Sequence, residues 1–179
     1  GRLVLFRLHL PSSSPWDDAR RGLWLPSEHY YPGYGHYLRV PAWISGPVTR
    51  YMAGHIRCWS MEQREGDLVQ PSGLVLFSHG LGGIRTTYSS LVTEMVSHGL
   101  AVACLEHRDG TAGLTRDGMG RSVTYQQPTP NNEFNFRNAQ LMLRTKEMAA
   151  VLEYLRKGTC RRVISGDGDT SINAALPVY

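Results

Sequence analysis

Lysine is almost missing from this sequence. Of 19 basic residues, only Lys146 and Lys157 are lysines; the other 17 are arginines. The arginines are scattered and form no stripe, and the net charge is only +4. That argues against a dedicated nucleic-acid binder. Long apolar runs are also missing, and none approaches the roughly 20 residues of a membrane span. No charged-then-apolar signal segment opens the sequence. It starts at Gly1 rather than Met, so a trimmed N-terminus is expected. Only three cysteines occur, Cys58, Cys104 and Cys160, with no C-x-x-C. A zinc ribbon or redox dithiol is therefore not expected. One disulfide between two of the three stays open. Cys104 lies in an apolar run and reads as a buried small hydrophobe. No N-x-[ST] site favours secretion. The compartment is open: soluble, or peripheral to a membrane or lipoprotein surface. His29 and His36 lack a third ligand at a metal-site spacing, and neither metal nor cofactor is expected. The Walker pattern is absent. The dinucleotide pattern G-x-G-x-x-G fails because Arg85 stands three residues after Gly82.

What is present suits a packed domain. The 179 residues are 41% hydrophobic and 19% charged, about one domain of ordinary size. Residues 2–10 read as a strand that ends in a Pro- and Ser-rich loop. Residues 23–43 mix aromatics with Gly and Pro and read as irregular, with short helices at most. In residues 44–59, Ile44, Val48, Tyr51, Met52, His55 and Trp59 share one helical face. Pro47 suits the first turn of that helix. Residues 61–73 form a polar connector. Leu74–Ser78 is a short apolar run, as in a strand buried on both faces. Thr86 or Thr87 can cap a following helix with Tyr88, Leu91, Val92, Met95 and Val96 on one side. Gly99 fits its C-terminal cap, and Leu100–Leu105 is a second buried strand. This strand–helix–strand unit predicts a parallel sheet. Residues 109–133 read as a long loop. Residues 134–157 read as a helix with Leu141, Met148, Val151, Leu152 and Leu155 inward, ended by Gly158. The tail 159–179 is weakly patterned, and no internal repeat is found.

The chemistry gathers at His79, Gly80, Leu81, Gly82 and Gly83, between the first buried strand and its helix. Glycines let a chain bend sharply and let a substrate approach the backbone. A backbone N–H held there can stabilise an oxyanion that exists only in the transition state. A plain strand–helix turn is the competing reading. Glu106, His107, Arg108 and Asp109 contain a His and an Asp. Adjacent residues at a strand end point different ways, so internal hydrogen bonds and ion pairs are expected there. Arg137 and Arg144 read as solvated or loop-pairing charges.

Residues 74–90 (LVLFSHGLGGIRTTYSS) resemble the oxyanion-hole segment of the platelet-activating-factor acetylhydrolase family, plasma and type II intracellular group. So do residues 97–109 (SHGLAVACLEHRD), with their Glu-His-Arg-Asp ending. Weaker likenesses are Leu23–Pro26, Phe136–Asn138 with Arg144, and Asn173 with Leu176. The resemblance implies an α/β-hydrolase fold with a mainly parallel sheet and flanking helices. It implies a Ser–His–Asp lipid-ester hydrolase that removes short or oxidised sn-2 acyl groups from phospholipids. Leu81 would supply one oxyanion N–H. His79, read from the residues themselves, is a structural side chain that orients the turn through a ring hydrogen bond.

The family's Gly-His-Ser-Phe-Gly-Gly nucleophile turn is not found, and no G-x-S-x-G occurs. Gly120-Arg121-Ser122 lacks the second Gly and follows a polar loop, so Ser122 is not expected to be a nucleophile. The acid and the histidine follow the serine in chain order. None of the triad is therefore expected in these residues. The expectation is a single incomplete domain, 1–179, cut before the nucleophile strand and inactive alone. Its partners would be phospholipid or a lipid surface, and the missing C-terminal half or another chain. The 44–59 helix matches the family's interface-binding helix in position, with Trp43, Ile44, Val48, Tyr51 and Met52 toward lipid. An ordinary amphipathic helix packed on the core is the alternative. A non-catalytic fragment or pseudoenzyme, and another α/β-hydrolase esterase, also stay open.

Overall fold

A computed structural model describes residues 4–14, 21–61, 68–117 and 119–157. Gly158, Cys160, Asn173 and Leu176 lie outside the described residues. Strand β1 is Leu5–His9, β4 is Gly73–Ser78 and β5 is Leu100–Glu106. They form one sheet in the order β1-β5-β4. β4 and β5 run parallel with Ser78 opposite Leu105, while β1 pairs antiparallel with Leu5 opposite Glu106. The described sheet is thus mixed, where a mainly parallel one was expected. Helix α3, Ser89–Ser97, links β4 to β5 and completes the expected βαβ unit.

The alternation along the strands builds two cores. Ala103 and Leu105 of β5 join Val4, Phe6, Leu76 and Val151 on the face covered by α4, Glu133–Arg156. Val102 and Cys104 join Val75, Phe77, Val92, Met95 and Val96 on the α3 face. Successive side chains point to opposite faces, so one apolar strand feeds both layers. β5 is central and almost wholly buried. β4 is not, contrary to expectation, and Leu74 is 41% exposed. An apolar run reports that both faces pack. It does not report paired edges, and among the described residues β4 pairs only with β5.

The remaining elements cap this sandwich. β2, Arg21–Leu23, pairs with β3, Arg57–Met61. A 3-10 turn at Glu28–Tyr30 precedes α1, Gly33–Leu38, and α2, Ala42–Ala53. The α2 bounds correct the expected 44–59 helix. Pro41 O accepts the N–H groups of Ile44 and Ser45, so the helix opens before Pro47 and carries that proline in its interior. It ends at Gly54, so Trp59 belongs to β3 and not to a helical face. The expected loop at 109–133 holds a hairpin, β6 Leu114–Arg116 with β7 Ser122–Thr124, which turns at Gly120 (φ +80°). α3 lacks the expected Thr cap. Thr87 Oγ1 accepts Ile84 N–H and Thr86 donates to Trp24 O. Gly99 (φ +83°) closes that helix by donating to Val96 O.

Candidate active site

The C-terminal ends of β4 and β5 lie side by side, where parallel sheets commonly place their sites. Gly80 O accepts Gly83 N–H at 3.1 Å, which closes a four-residue turn. Gly82, its third residue, has φ +76°, as a type II turn requires. A Cβ there would also sit 3.0 Å from the Tyr37 ring. Three of the turn's N–H groups are engaged. Gly80 N–H donates to Tyr88 OH (3.3 Å), Gly82 N–H to Thr111 O (2.8 Å) and Gly83 N–H to Gly80 O. Leu81 N–H has no acceptor among the described residues, and Leu81 is 49% exposed.

His79 lies under this turn, 1% exposed. Its Nε2 accepts the His107 backbone N–H at 3.1 Å. Nδ1 must then carry the ring proton, and it donates to Gly80 O at 2.8 Å. Burial first, and the nearby Arg144 charge, push the imidazole down to about 4 against the Gly80 hydrogen bond, which would raise it. It is neutral at physiological pH, and both ring nitrogens are engaged within the protein.

Around it runs a buried polar network. Ser78 donates to His107 Nε2 (2.8 Å), and His107 Nδ1–H donates to Glu147 Oε2 (2.6 Å). Arg144 donates to Ser78 Oγ (3.1 Å), His79 O (2.7 Å), Asp109 Oδ2 (3.0 Å) and Thr111 Oγ1. Glu106 meets Arg85 at 2.6 Å and accepts from Tyr30 OH (2.8 Å) and Thr115 OH. Burial alone would raise the Glu106 carboxyl. Arg85 and the donated hydrogen bonds outweigh it and hold the group below its ordinary value.

His107 and Asp109 therefore do not pair with each other. Each has its own partner on α4. Arg144 does pair with the loop, but it is largely buried and not a solvated charge. Arg137 bonds Gln140 and Tyr125. The inward face of α4 also differs from expectation. Leu141 is exposed, while Gln140 and Glu147 are buried. The spacing Arg137, Gln140, Arg144, Glu147 is itself helical, a polar stripe that an apolar search passes over. Ser78, Glu147 and Thr111 are the site residues that the sequence reading missed. Ser122 is exposed at the start of β7, and no hydrogen bond joins it to this network among the described residues. His29 Nε2 lies 3.4 Å from Thr115 O. Among the described residues no three potential ligands gather for a metal.

On α2 the apolar side chains face outward. Trp43 is 78% exposed, Tyr51 86% and Met52 67%, with Ile44 and Val48 also exposed. Among the described residues no helix is long and apolar enough to cross a membrane.

The family model described as platelet-activating factor acetylhydrolase, isoform II, matches residues 2–170. The chain belongs to this family. It is 34% identical over 165 residues to a platelet-activating factor acetylhydrolase of Canis lupus familiaris, which covers 85% of this chain and 36% of that protein. The Bos taurus protein of the same name is 33% identical over the same shares. A putative phospholipase A2 of Schizosaccharomyces pombe is 28% identical over 172 residues, 87% of this chain and 38% of that protein. The chain thus spans a little over a third of the length of the acetylhydrolases it matches. Family membership makes it part of a hydrolase lineage.

Proposed function

We propose that this chain is the oxyanion-binding portion of a lipid-ester hydrolase that cleaves short or oxidised sn-2 acyl groups from phospholipids such as platelet-activating factor. The observation that carries this reading is the free Leu81 N–H, in a turn whose neighbouring N–H groups are all engaged. In an acyl transfer, the carbonyl oxygen gains negative charge as the tetrahedral intermediate forms. A fixed, uncommitted N–H stabilises that charge without reorganising. No G-x-S-x-G turn occurs in these residues; in such a hydrolase the serine of that turn, with the aspartate and histidine that follow it in chain order, forms the triad. There, serine attacks the ester carbonyl, histidine takes its proton and returns it to the leaving alcohol, and aspartate orients the ring.

Two further features support the reading. The apolar face of α2, with Arg50 beside it, suits a lipid surface. The β4 edge, unpaired among the described residues, suits the strand that leads to the nucleophile, or a partner chain.

The test compares two proteins. The product of the whole reading frame should hydrolyse a phosphocholine with an sn-2 acetyl group and should take up a fluorophosphonate label. The 179-residue chain should do neither. Labelling of the short chain at Ser78 or Ser122 would contradict the reading. At Ser78 it would make the Ser78–His107–Glu147 series a working triad. A reading frame that ends at Tyr179 would favour a non-catalytic product acting through lipid or protein contacts.

A further inference from the structure

The Leu81 N–H belongs to the same planar peptide as Gly80 C=O. In a trans peptide these two groups point opposite ways. Whatever holds the Gly80 carbonyl inward therefore holds the Leu81 N–H outward. Two donors hold that carbonyl: Gly83 N–H at 3.1 Å and His79 Nδ1–H at 2.8 Å. The second donor exists only in one tautomer of His79. The backbone N–H of His107 selects that tautomer, because it needs an acceptor at Nε2. His107 is in turn fixed at the end of β5 by Glu147 and Ser78.

We infer that His79 is a positioning residue for the oxyanion donor: its Nδ1–H, fixed by the His107 backbone, locks the Gly80–Leu81 peptide with the Leu81 N–H outward. This rests on the oxyanion reading above. It adds a part to that reading, a tautomer-dependent lock reaching from β5 through one imidazole to the turn. His79 itself touches no substrate. Its ring is buried and both nitrogens are spent.

Substitution at this site separates the lock from simple packing. In His79→Asn, the amide N–H₂ stands close to the place of Nδ1–H and can still donate to Gly80 O. His79→Leu fills space but donates nothing. In the whole reading-frame product, ¹⁵N spectra of the His79 ring should show Nδ1 protonated and Nε2 bare from pH 5 to 8. Gly83 N–H should exchange at least about tenfold faster in His79→Leu than in the parent, with Asn restoring protection. In the whole reading-frame product, His79→Leu should lower kcat by about tenfold or more while KM stays within about twofold, and Asn should recover most of it.

A ring proton on Nε2 in the parent chain would overturn the lock, even if neither variant folds. So would equal kcat losses for Asn and Leu in folded proteins. If the parent product hydrolyses no ester, the oxyanion reading fails and His79 loses its proposed role. The spectra would then still report the tautomer separately.

Discussion

Gly82 sits at φ +76°, with the Tyr37 ring against the place of its missing Cβ. Gly82→Ala therefore meets both backbone strain and a collision. It should cost about 1–2 kcal/mol in chemical denaturation. His79 gives the turn a pH dependence. Its folded pKa of about 4 lies below the ordinary 6.5. The unfolded chain therefore takes up a proton before the folded one does. The stability this neutral ring contributes is fully present above pH 6.5, and it is lost as pH falls toward 4. The loss should be on the order of 3 kcal/mol. Urea unfolding at several pH values should show this slope in the parent, and His79→Asn should flatten it between pH 6.5 and 4. Glu106, held below its ordinary value by Arg85 and its donors, adds a further loss at lower pH. At this scale the sequence was informative about identity but silent about depth. Glu-His-Arg-Asp reads as polar in one dimension. Only the sheet shows Glu106 and His107 fully buried, each with a separate partner.

α4 buries polar side chains that apolar periodicity does not report. Its first half is polar on the side that faces the site. Arg144 reaches Ser78 of β4, His79 O and Asp109, and Glu147 reaches His107 just after β5. Hydrophobic periodicity finds helices that bury oil. It does not find a helix that buries ion pairs, so it points to the exposed Leu141 and not to the inward Gln140 and Glu147. Glu147→Leu should be worse than most surface changes, because it strands the His107 Nδ1–H in the interior. A loss of about 2–4 kcal/mol is expected by calorimetry or denaturant titration. The βαβ unit was legible because short apolar runs, turn glycines and the α3 stripe agree with one another. The α2 bounds were not. Pro47 resembled a first-turn residue, yet Pro41 O opens the helix earlier. On α2, Trp43→Ala with Tyr51→Ala should leave stability within about 0.5 kcal/mol, since both side chains are exposed. If this face meets lipid, the same double variant should cut binding to phosphatidylcholine vesicles several-fold in a flotation assay.

The described residues form three layers, helix, sheet and helix, and the sheet has two edge strands, β1 and β4. The sheet is closed on its two faces by α3 and α4, while β1 and β4 each pair only with β5 among the described residues. Such an edge pairs readily with another strand. The isolated 179-residue chain should accordingly self-associate in sedimentation runs, and a monodisperse, cooperatively unfolding monomer would argue against an open edge. The functional claim turns on Leu81. Leu81 is the second residue of a turn whose third residue has φ +76°, a position where proline fits well. Leu81→Pro therefore deletes the free N–H with little disturbance to the turn. In the whole reading-frame product, kcat for an sn-2 acetyl phosphocholine should fall about 10²- to 10³-fold, with KM and thermal stability close to the parent's. A Leu81→Pro protein that folds and turns over at the parent rate would contradict the assignment of this turn as the oxyanion donor.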